Sequence, residues 1–306
     1  GMICGHLLKI FGGDIVIYPS PLRYPGGKKK LANFISDAII LNDIQGGTYI
    51  EPFAGGSNVA LFLLFQEQVS KIVINDVDRS IYAFWHSVIY NTDKLCERII
   101  ETQITIQEWE KQKEIQRDKE KANLLDLGFS TFFLNRTNHS GIIKGGGIIN
   151  AGPIGGKKQN GNWKIDVRFN KDDLINRIKK IALYESRINL YNKDAIALIN
   201  EIISELDEHC LIYFDPPYYN QGSSLYTNFY KHEDHEILKD FIMNLNCKWI
   251  LTYDYTPDII NMYRLAEKRL LTLGYTAAKK MKGNEMIAFC EGFIIPQSEY
   301  SAITIE

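Results

Sequence analysis

Short runs of apolar and β-branched residues, each bounded by turn-forming residues, recur along the chain and predict buried strands. Helical stretches at residues 58–68 and 79–90 separate several of these runs. Strands that alternate with helices are typical of an α/β doubly wound sheet of the Rossmann-like type. Two C-terminal runs, near residues 271–277 and 286–294, predict a hairpin that closes the sheet. The predicted strands cover residues 48–53, 71–75, 187–191, 210–214 and 248–253.

The alternation breaks between about residues 92 and 180, where a charged helical stretch precedes a segment rich in glycine and asparagine. We predict an inserted domain at 92–180, within a catalytic domain formed by 1–91 and 181–306. Formal net charge is only −2, so a nucleic-acid surface would have to come from local clustering. The predicted insertion contains such a cluster, because the segment from residue 135 to residue 170 has six basic residues and only one acidic residue, Asp166.

Composition and cysteine usage favour a soluble, cytoplasmic protein. Of the 306 residues, 45% are hydrophobic and 24% charged, and no apolar run reaches the roughly 18 residues of a membrane span. The five cysteines are scattered without a C-x-x-C pair, which predicts neither disulfides nor a zinc site. The histidines show no ligand spacing either, so no metal is expected.

Small residues follow the first predicted strand and precede a helix, in the order Phe53, Ala54, Gly55, Gly56. Glycine lets a ligand approach the backbone, and a helix N-terminus offers N–H groups to an anion. A tight strand-to-helix turn explains this motif equally well. The second predicted strand leads to Asp76, which could bind both hydroxyls of a ribose or cap a helix. The three-glycine spacing of a dinucleotide site is missing, so S-adenosylmethionine (AdoMet) is the favoured ligand.

The most informative motif is Asp215-Pro216-Pro217-Tyr218, which directly follows an apolar strand. The prolines hold Asp215 extended, so that its carboxylate and the Pro216 carbonyl can both accept hydrogen bonds. An amino group such as N6 of adenine needs two acceptors, because its lone pair is delocalised into the ring. Tyr218 offers an aromatic face on which an extruded base can stack. The motif predicts catalysis by Asp215, Pro216 and Tyr218.

In order and spacing, these motifs resemble the D12 class of DNA adenine-N6 methyltransferases, the group that includes the Dam enzymes. The resemblance spans residue 22 to about residue 289, with Arg23 to Lys28 (RYPGGK) near its start. It implies an AdoMet-dependent methyltransferase fold with an inserted target-recognition domain. The cofactor-binding residues that it implies are Tyr24, Lys28, Phe53, Ala54, Gly55, Gly56, Asp76, Asp194 and Asp215.

The resemblance also implies double-stranded DNA as the partner, read by the inserted segment. GATC readers carry Asn-Gly-Leu-x-Arg, whereas this chain has Ser140-Gly141-Ile142-Ile143-Lys144. Lysine is a point donor and cannot grip guanine with two bonds as arginine does, so GATC specificity is not implied. A monomer is expected, and a cognate restriction endonuclease stays open. The predicted DNA-binding residues are Asn135, Arg136, Ser140, Ile142, Lys144, Lys157 and Lys158.

Two other interpretations remain at this point. Protein glutamine side chains and RNA adenines carry chemically similar amino groups, although Asp215 and the insertion favour DNA adenine. A DNA-binding regulator without catalysis is the other alternative, and the intact motif at 215–218 speaks against it.

Overall fold

The apolar runs of the sequence form the strands of one mixed eight-stranded sheet. The computed structural model describes residues 18–23, 29–141, 151–220, 230–271 and 285–306. Spatial order is β3-β2-β1-β4-β5-β7-β6-β8, with the first five strands parallel and the last three antiparallel to their neighbours. The strands are β1 (Thr48–Glu51), β2 (Lys71–Asn75), β3 (Ile188–Tyr191), β4 (Cys210–Phe214), β5 (Lys248–Asp254), β6 (Glu267–Leu271), β7 (Glu285–Phe289) and β8 (Ile303–Ile305).

Helices cover both faces of the sheet. Successive strand residues point to opposite faces, so Ile72 and Ile74 join one hydrophobic cluster while Val73 joins the other. The predicted doubly wound, Rossmann-like α/β architecture is therefore confirmed. The helices are α1 (Lys29–Leu41), α2 (Asn58–Phe65), α3 (Arg79–Tyr90), α4 (Thr92–Glu101), α5 (Ile106–Arg117), α6 (Leu124–Thr137), α7 (Lys171–Ala182), α8 (Ala195–Ile202), α9 (His232–Met243) and α10 (Pro257–Met262).

Helices α4 to α6 and nearly all of α7, which ends at Ala182, fall within the predicted insertion, and they share a core with the sheet. Trp109 of α5, Phe132 of α6 and Ile178 of α7 lie in the same hydrophobic cluster as Phe84 of α3. The insertion therefore continues the packing of one sheet face. The boundary at residues 92–180 stays a prediction.

The direction of strand addition reverses between β1 and β4, which are neighbours in the sheet. Ligands of open α/β sheets bind where the order reverses, at the carboxyl ends of the strands. The loop after β1 and the Asp215 motif after β4 leave the sheet at this position. Among the described helices, none is long and apolar enough to span a membrane.

Candidate active site

The loop after β1 is buried and held from two sides. The Ala54 amide donates to the Asn75 carbonyl at 2.8 Å, and the Gly55 amide donates to Oδ2 of Asp76 at 3.0 Å. Trp85 Nε1 donates to the Gly55 carbonyl at 2.9 Å. Gly55 adopts φ +50°, a conformation that side chains rarely tolerate. The predicted cofactor loop is thus fixed before any ligand binds.

The N-terminus of α2 differs from the expectation of free N–H groups. Oε1 of the buried Glu51 accepts the Ala60 amide at 3.2 Å and the Tyr49 hydroxyl at 2.9 Å. A carboxylate of the chain itself therefore stabilises this helix end. Ser57, at φ +48°, keeps a buried Oγ with no hydrogen-bond partner among the described residues. This orphaned hydroxyl is a polar group that a bound ligand could satisfy.

Asp76 is 9% exposed and both of its carboxylate oxygens accept backbone amides. Oδ2 accepts from Gly55, and Oδ1 accepts from Asp78 at 3.0 Å. A carboxylate offers about four acceptor positions, so two accepted amides do not by themselves exclude a contact with ribose hydroxyls. Both interpretations of Asp76, structural and ligand-binding, are thus compatible with the geometry.

Asp194 is exposed and caps α8, with Oδ2 accepting the Ile196 and Ala197 amides at 3.1 Å. Its prediction as an adenine contact is left untested by this geometry. The charge of Asp194 acts on the nearby Tyr230. Burial first, and then the charges of Asp194, Asp234 and Asp76, raise the pKa of the Tyr230 phenol.

An aromatic pair, Phe53 and Tyr230, stands beside these carboxylates. The two rings meet edge to face, with centroids 6.0 Å apart. Because Phe53 follows β1 and Tyr230 precedes α9, the pair joins the two halves of the sheet at its carboxyl edge. Sequence reasoning did not find Tyr230, since no local motif marks it.

Asp215 follows β4 and is half-buried. Thr252 Oγ1 on β5 donates to Asp215 Oδ1 at 3.0 Å, and the Tyr213 hydroxyl lies 2.7 Å from the same Thr252 oxygen. Pro216 is buried, whereas Tyr218 is half-buried and donates its hydroxyl to Glu285 at the start of β7. Neighbouring strands thus fix both the carboxylate and the tyrosine ring.

Asp254, the last residue of β5, holds the chain that leaves the 215–218 motif. Its two carboxylate oxygens accept the Tyr219 amide at 2.8 Å and the Asn220 amide at 3.1 Å. Deeper in the structure, Nδ1 of the buried His235 lies 2.6 Å from the Tyr253 hydroxyl. Burial lowers the pKa of His235 to about 4, so the imidazole is neutral at pH 7.

Thr252, Asp254 and Glu285 were also missed as site residues. Thr252 had a signal, because Leu251-Thr252-Tyr253, at the end of the predicted strand 248–253, is a further point of resemblance to the D12 class. The other two are acidic residues at strand ends, which a sequence alone cannot assign to the 215–218 motif.

The predicted DNA-binding residues do not share one environment. Asn135 is fully buried: its Oδ1 accepts the Arg23 amide at 2.7 Å and its Nδ2 donates to the Gly141 carbonyl at 2.6 Å. The prediction that Asn135 contacts DNA is therefore corrected, because this side chain holds two loops together and cannot reach a ligand outside. Ser140 is exposed.

Arg136 is half-buried and donates through Nε to the Pro21 carbonyl at 2.7 Å. Burial, followed by the nearby charges of Arg177 and Arg23, lowers the pKa of its guanidinium group. Lys157 and Lys158 are both exposed, and Lys157 pairs with Glu110 at 3.0 Å. Four predicted residues, Tyr24, Lys28, Ile142 and Lys144, lie outside the described residues.

No group of three or more potential metal ligands occurs in the described ranges. The arrangement instead offers a rigid polar acceptor, Asp215, beside a preformed loop and a tyrosine ring. Such a set can hold an amino group next to a bound small molecule.

Comparisons with known proteins agree with this chemistry. The chain is 26% identical over 280 residues to the type II methyltransferase M.MjaIII of Methanocaldococcus jannaschii, covering 82% of this chain and 91% of that protein. The match to a solved structure, described as a class I S-adenosylmethionine-dependent methyltransferase from Listeria monocytogenes, covers 98% of this chain and 70% of the Listeria chain. Its TM-score of 0.33 and 10% identity are too low to support an argument.

The family comparison is decisive, since it spans well over half of the chain. Residues 24–272 match the family described as D12 class N6 adenine-specific DNA methyltransferase. The matched range contains the loop after β1, Asp76 and the 215–218 motif. The chain therefore belongs to the D12 class N6 adenine-specific DNA methyltransferase family.

Proposed function

We propose that this protein is a site-specific, adenine-specific DNA methyltransferase that transfers a methyl group from AdoMet to N6 of an adenine flipped out of duplex DNA. The observation that carries the proposal is the placement of Asp215. Its carboxylate stands at the carboxyl end of a central strand, oriented by Thr252 and followed by a buried proline. Family membership supports DNA adenine as the acceptor.

The residues around the loop after β1 fit AdoMet. The buried glycine turn permits close approach of a ligand, and the orphaned Ser57 hydroxyl is available to a polar group. Asp76, a buried carboxylate beside this turn, is the type of acceptor that ribose hydroxyls need. The edge-to-face pair of Phe53 and Tyr230 offers apolar surface for a purine. When bound, AdoMet supplies an electrophilic methyl group. We include Tyr24, Lys28 and Asp194 in the proposed site on the family resemblance.

The protein's own contribution is to position the adenine amino group. The Asp215 carboxylate and the Pro216 carbonyl each accept one N6 hydrogen bond, which concentrates the nitrogen lone pair for attack. Thr252 restrains the carboxylate, so little reorganisation is needed. Tyr218, tethered through its hydroxyl to Glu285, presents a ring against which the flipped base stacks.

We propose residues 92–180 as the DNA-recognition segment of a monomeric enzyme. Arg136, Ser140, Ile142, Lys144, Lys157 and Lys158 are its proposed contacts. The similarity to a type II methyltransferase supports a modification role beside a cognate restriction endonuclease.

The test uses labelled AdoMet with genomic DNA from a methylation-free strain, followed by base analysis and mapping of modified positions. The proposal requires N6-methyladenine in one short sequence context. Asp215→Ala should lower turnover by at least about 100-fold with an unchanged melting temperature, because apolar packing holds β4. Label in RNA or protein, or no transfer at all, would refute the proposed function. Near-normal turnover of the Asp215→Ala enzyme would refute only the role of that residue.

A further inference from the structure

A cavity of about 400 Å³ lies where the proposed recognition segment, residues 92–180, meets Arg23, outside the site described above. Two arginines, Arg23 and Arg168, line it together with Trp163. His139, Ile154 and Val167 complete the wall, along with three glycines and Asn162. Pockets of roughly 300–1,000 Å³ are typical of ligand sites, so this volume is large enough for a specific contact.

The positive charge beside the cavity is not neutralised by the described parts of the chain. Neither Arg23 nor Arg168 forms a salt bridge there, and Arg136 behind them donates only to carbonyls. Arg177, the next cation in this group, pairs with Asp173. Burial, and then the charge of Arg168, lowers the pKa of Arg23. The two guanidinium groups carry like charges and repel each other. An anion between them would relieve that repulsion.

Arg23 is held in position before any ligand arrives. Its amide donates to Asn135, and its Nη1 donates to the Asn138 carbonyl at 2.6 Å. Gly141, at φ +58°, packs so closely that an added Cβ would lie 3.1 Å from the guanidinium group. The guanidinium group of an arginine carries five N–H donors, and the contact with Asn138 uses only part of them. The other donors of Arg23 can therefore bind a ligand.

Trp163 is 69% exposed although it is a large aromatic residue. Its loop is nevertheless ordered: Lys164 Nζ donates to the Gln159 and Gly161 carbonyls, and Gln159 Oε1 accepts the Ile165 amide. Gly155 adopts φ +83°, and a Cβ there would lie 2.5 Å from the Trp163 carbonyl oxygen. The indole is therefore presented to solvent by a rigid support, which is typical of a contact residue.

We propose that this cavity binds the sugar–phosphate backbone of the DNA, with a phosphodiester between Arg23 and Arg168 and the adjoining deoxyribose against Trp163. The assignment rests on the proposed function and names a part of its DNA interface. Paired guanidinium groups suit a phosphate, and the apolar wall suits a sugar. Such a contact fixes the register of the protein on DNA without reading bases.

The four tryptophans make this proposal directly measurable. Trp85, Trp109 and Trp249 are at most 3% exposed, so acrylamide reaches only Trp163. A saturating duplex should lower the acrylamide quenching of the wild-type protein several-fold. Trp163→Phe should remove both the quenchable emission and its response to DNA. Inorganic phosphate alone should give no protection, and protection by phosphate would overturn the DNA assignment in favour of a free-anion site.

The proposed contact between Arg168 and a DNA phosphate is tested by the salt dependence of the affinity for duplex DNA. Arg168→Gln should reduce the slope of log K against log salt concentration by about 0.9, the value for one phosphate. Lys121→Gln is the matched control, because Lys121 is exposed in the same segment and pairs with Asp118. Unchanged quenching or an unchanged slope, in a wild-type protein that binds and methylates DNA, overturns this inference alone. A wild-type protein that binds no DNA overturns the proposed function with it.

Discussion

Asp76 connects the loop after β1 to the segment after β2, because its carboxylate accepts the Gly55 and Asp78 amides. Replacement by alanine removes these acceptors together with the proposed ribose contact. Since hydrogen bonds to charged groups contribute about 1.5–3 kcal/mol, we expect Asp76→Ala to weaken binding of S-adenosylhomocysteine by roughly tenfold or more. The melting temperature should fall as well. Calorimetric titration and thermal unfolding measure the two effects separately.

Asp76→Asn is the matched control, because the amide keeps one acceptor oxygen of the same shape. It should retain more of the thermal stability than Asp76→Ala. An Asp76→Ala protein with wild-type affinity for S-adenosylhomocysteine would leave Asp76 a purely structural residue.

At the residue scale, the sequence predicts a functional residue well where the chemistry requires a rare combination of residues. It predicts poorly where burial decides whether a side chain can reach a ligand. The order aspartate, two prolines and tyrosine at 215–218 is an unusual choice for a structural turn, so its place in a functional site after a strand could be predicted. Asn135 was predicted as a DNA contact from the family resemblance, which places it at the start of the DNA-reading loop. Its burial follows from the packing of α6 against the chain around Arg23, more than 100 residues earlier in the sequence.

At the element scale, the contact between α3 and α6 depends on Gly128. A Cβ at this position would lie 2.4 Å from Ser87 Oγ and 2.5 Å from the Ala83 carbonyl oxygen. The backbone of α3 cannot yield as a flexible side chain would. Gly128→Ala should therefore lower the free energy of unfolding by about 1–3 kcal/mol, measured by urea denaturation. Gly152→Ala is the control, since a Cβ added there would meet no atom within 4 Å and that variant should unfold like the wild type.

The packing of α9 on β5 makes stability depend on pH. His235 has a pKa of about 4 in the folded protein, below its ordinary 6.5, because burial outweighs the opposing charges of Asp254 and Asp234. The unfolded chain therefore binds a proton between pH 6.5 and 4 that the folded protein does not bind. Stability must fall as the pH is lowered through this window.

Denaturation at several pH values should show a shallower loss of stability between pH 6.5 and 4 for His235→Gln than for the wild type. His209→Gln is the comparison, because His209 is exposed and its pKa is raised by the Asp43 carbonyl. Parallel pH profiles for wild type and His235→Gln would assign the acid sensitivity to other groups.

Element boundaries show why part of the fold escaped prediction. The parallel strands are apolar on both faces and bounded by turns, so their ranges were nearly right. Helix α6 is buried on all sides and lacks the amphipathic period that reveals a surface helix. Strand β6 begins at residue 267, whereas the sequence predicted a strand at 271–277, of which residues 272–277 lie outside the described residues. The early part of β6 escaped prediction because it contains a charged residue where an apolar one was expected. The ammonium group of the buried Lys268 is satisfied by three carbonyls, those of Tyr263, Arg264 and Ala266.

At the scale of the whole molecule, DNA binding must overcome a net charge of −2. Salt limits electrostatic attraction to about 10 Å at 0.1 M, so the sign of nearby charges matters more than the total. Within the proposed recognition segment, the neighbours Lys157 and Lys158 are not equivalent, because Lys157 is already paired with Glu110. We therefore expect Lys158 to contribute more than Lys157 to the salt dependence of DNA binding.

Lys158→Gln should reduce the slope of log K against log salt concentration by about 0.9 and weaken all duplex sequences alike, as expected for one lost phosphate contact. Lys157→Gln should change the slope less, because a lysine already paired with a carboxylate displaces fewer counterions from DNA when the protein binds. Fluorescence anisotropy with a labelled duplex between 50 and 200 mM salt, roughly the range in which such slopes are resolved, makes the comparison. A Lys158 variant with the wild-type slope would place that residue outside the interface, and the recognition surface would then centre on Arg23, Trp163 and Arg168.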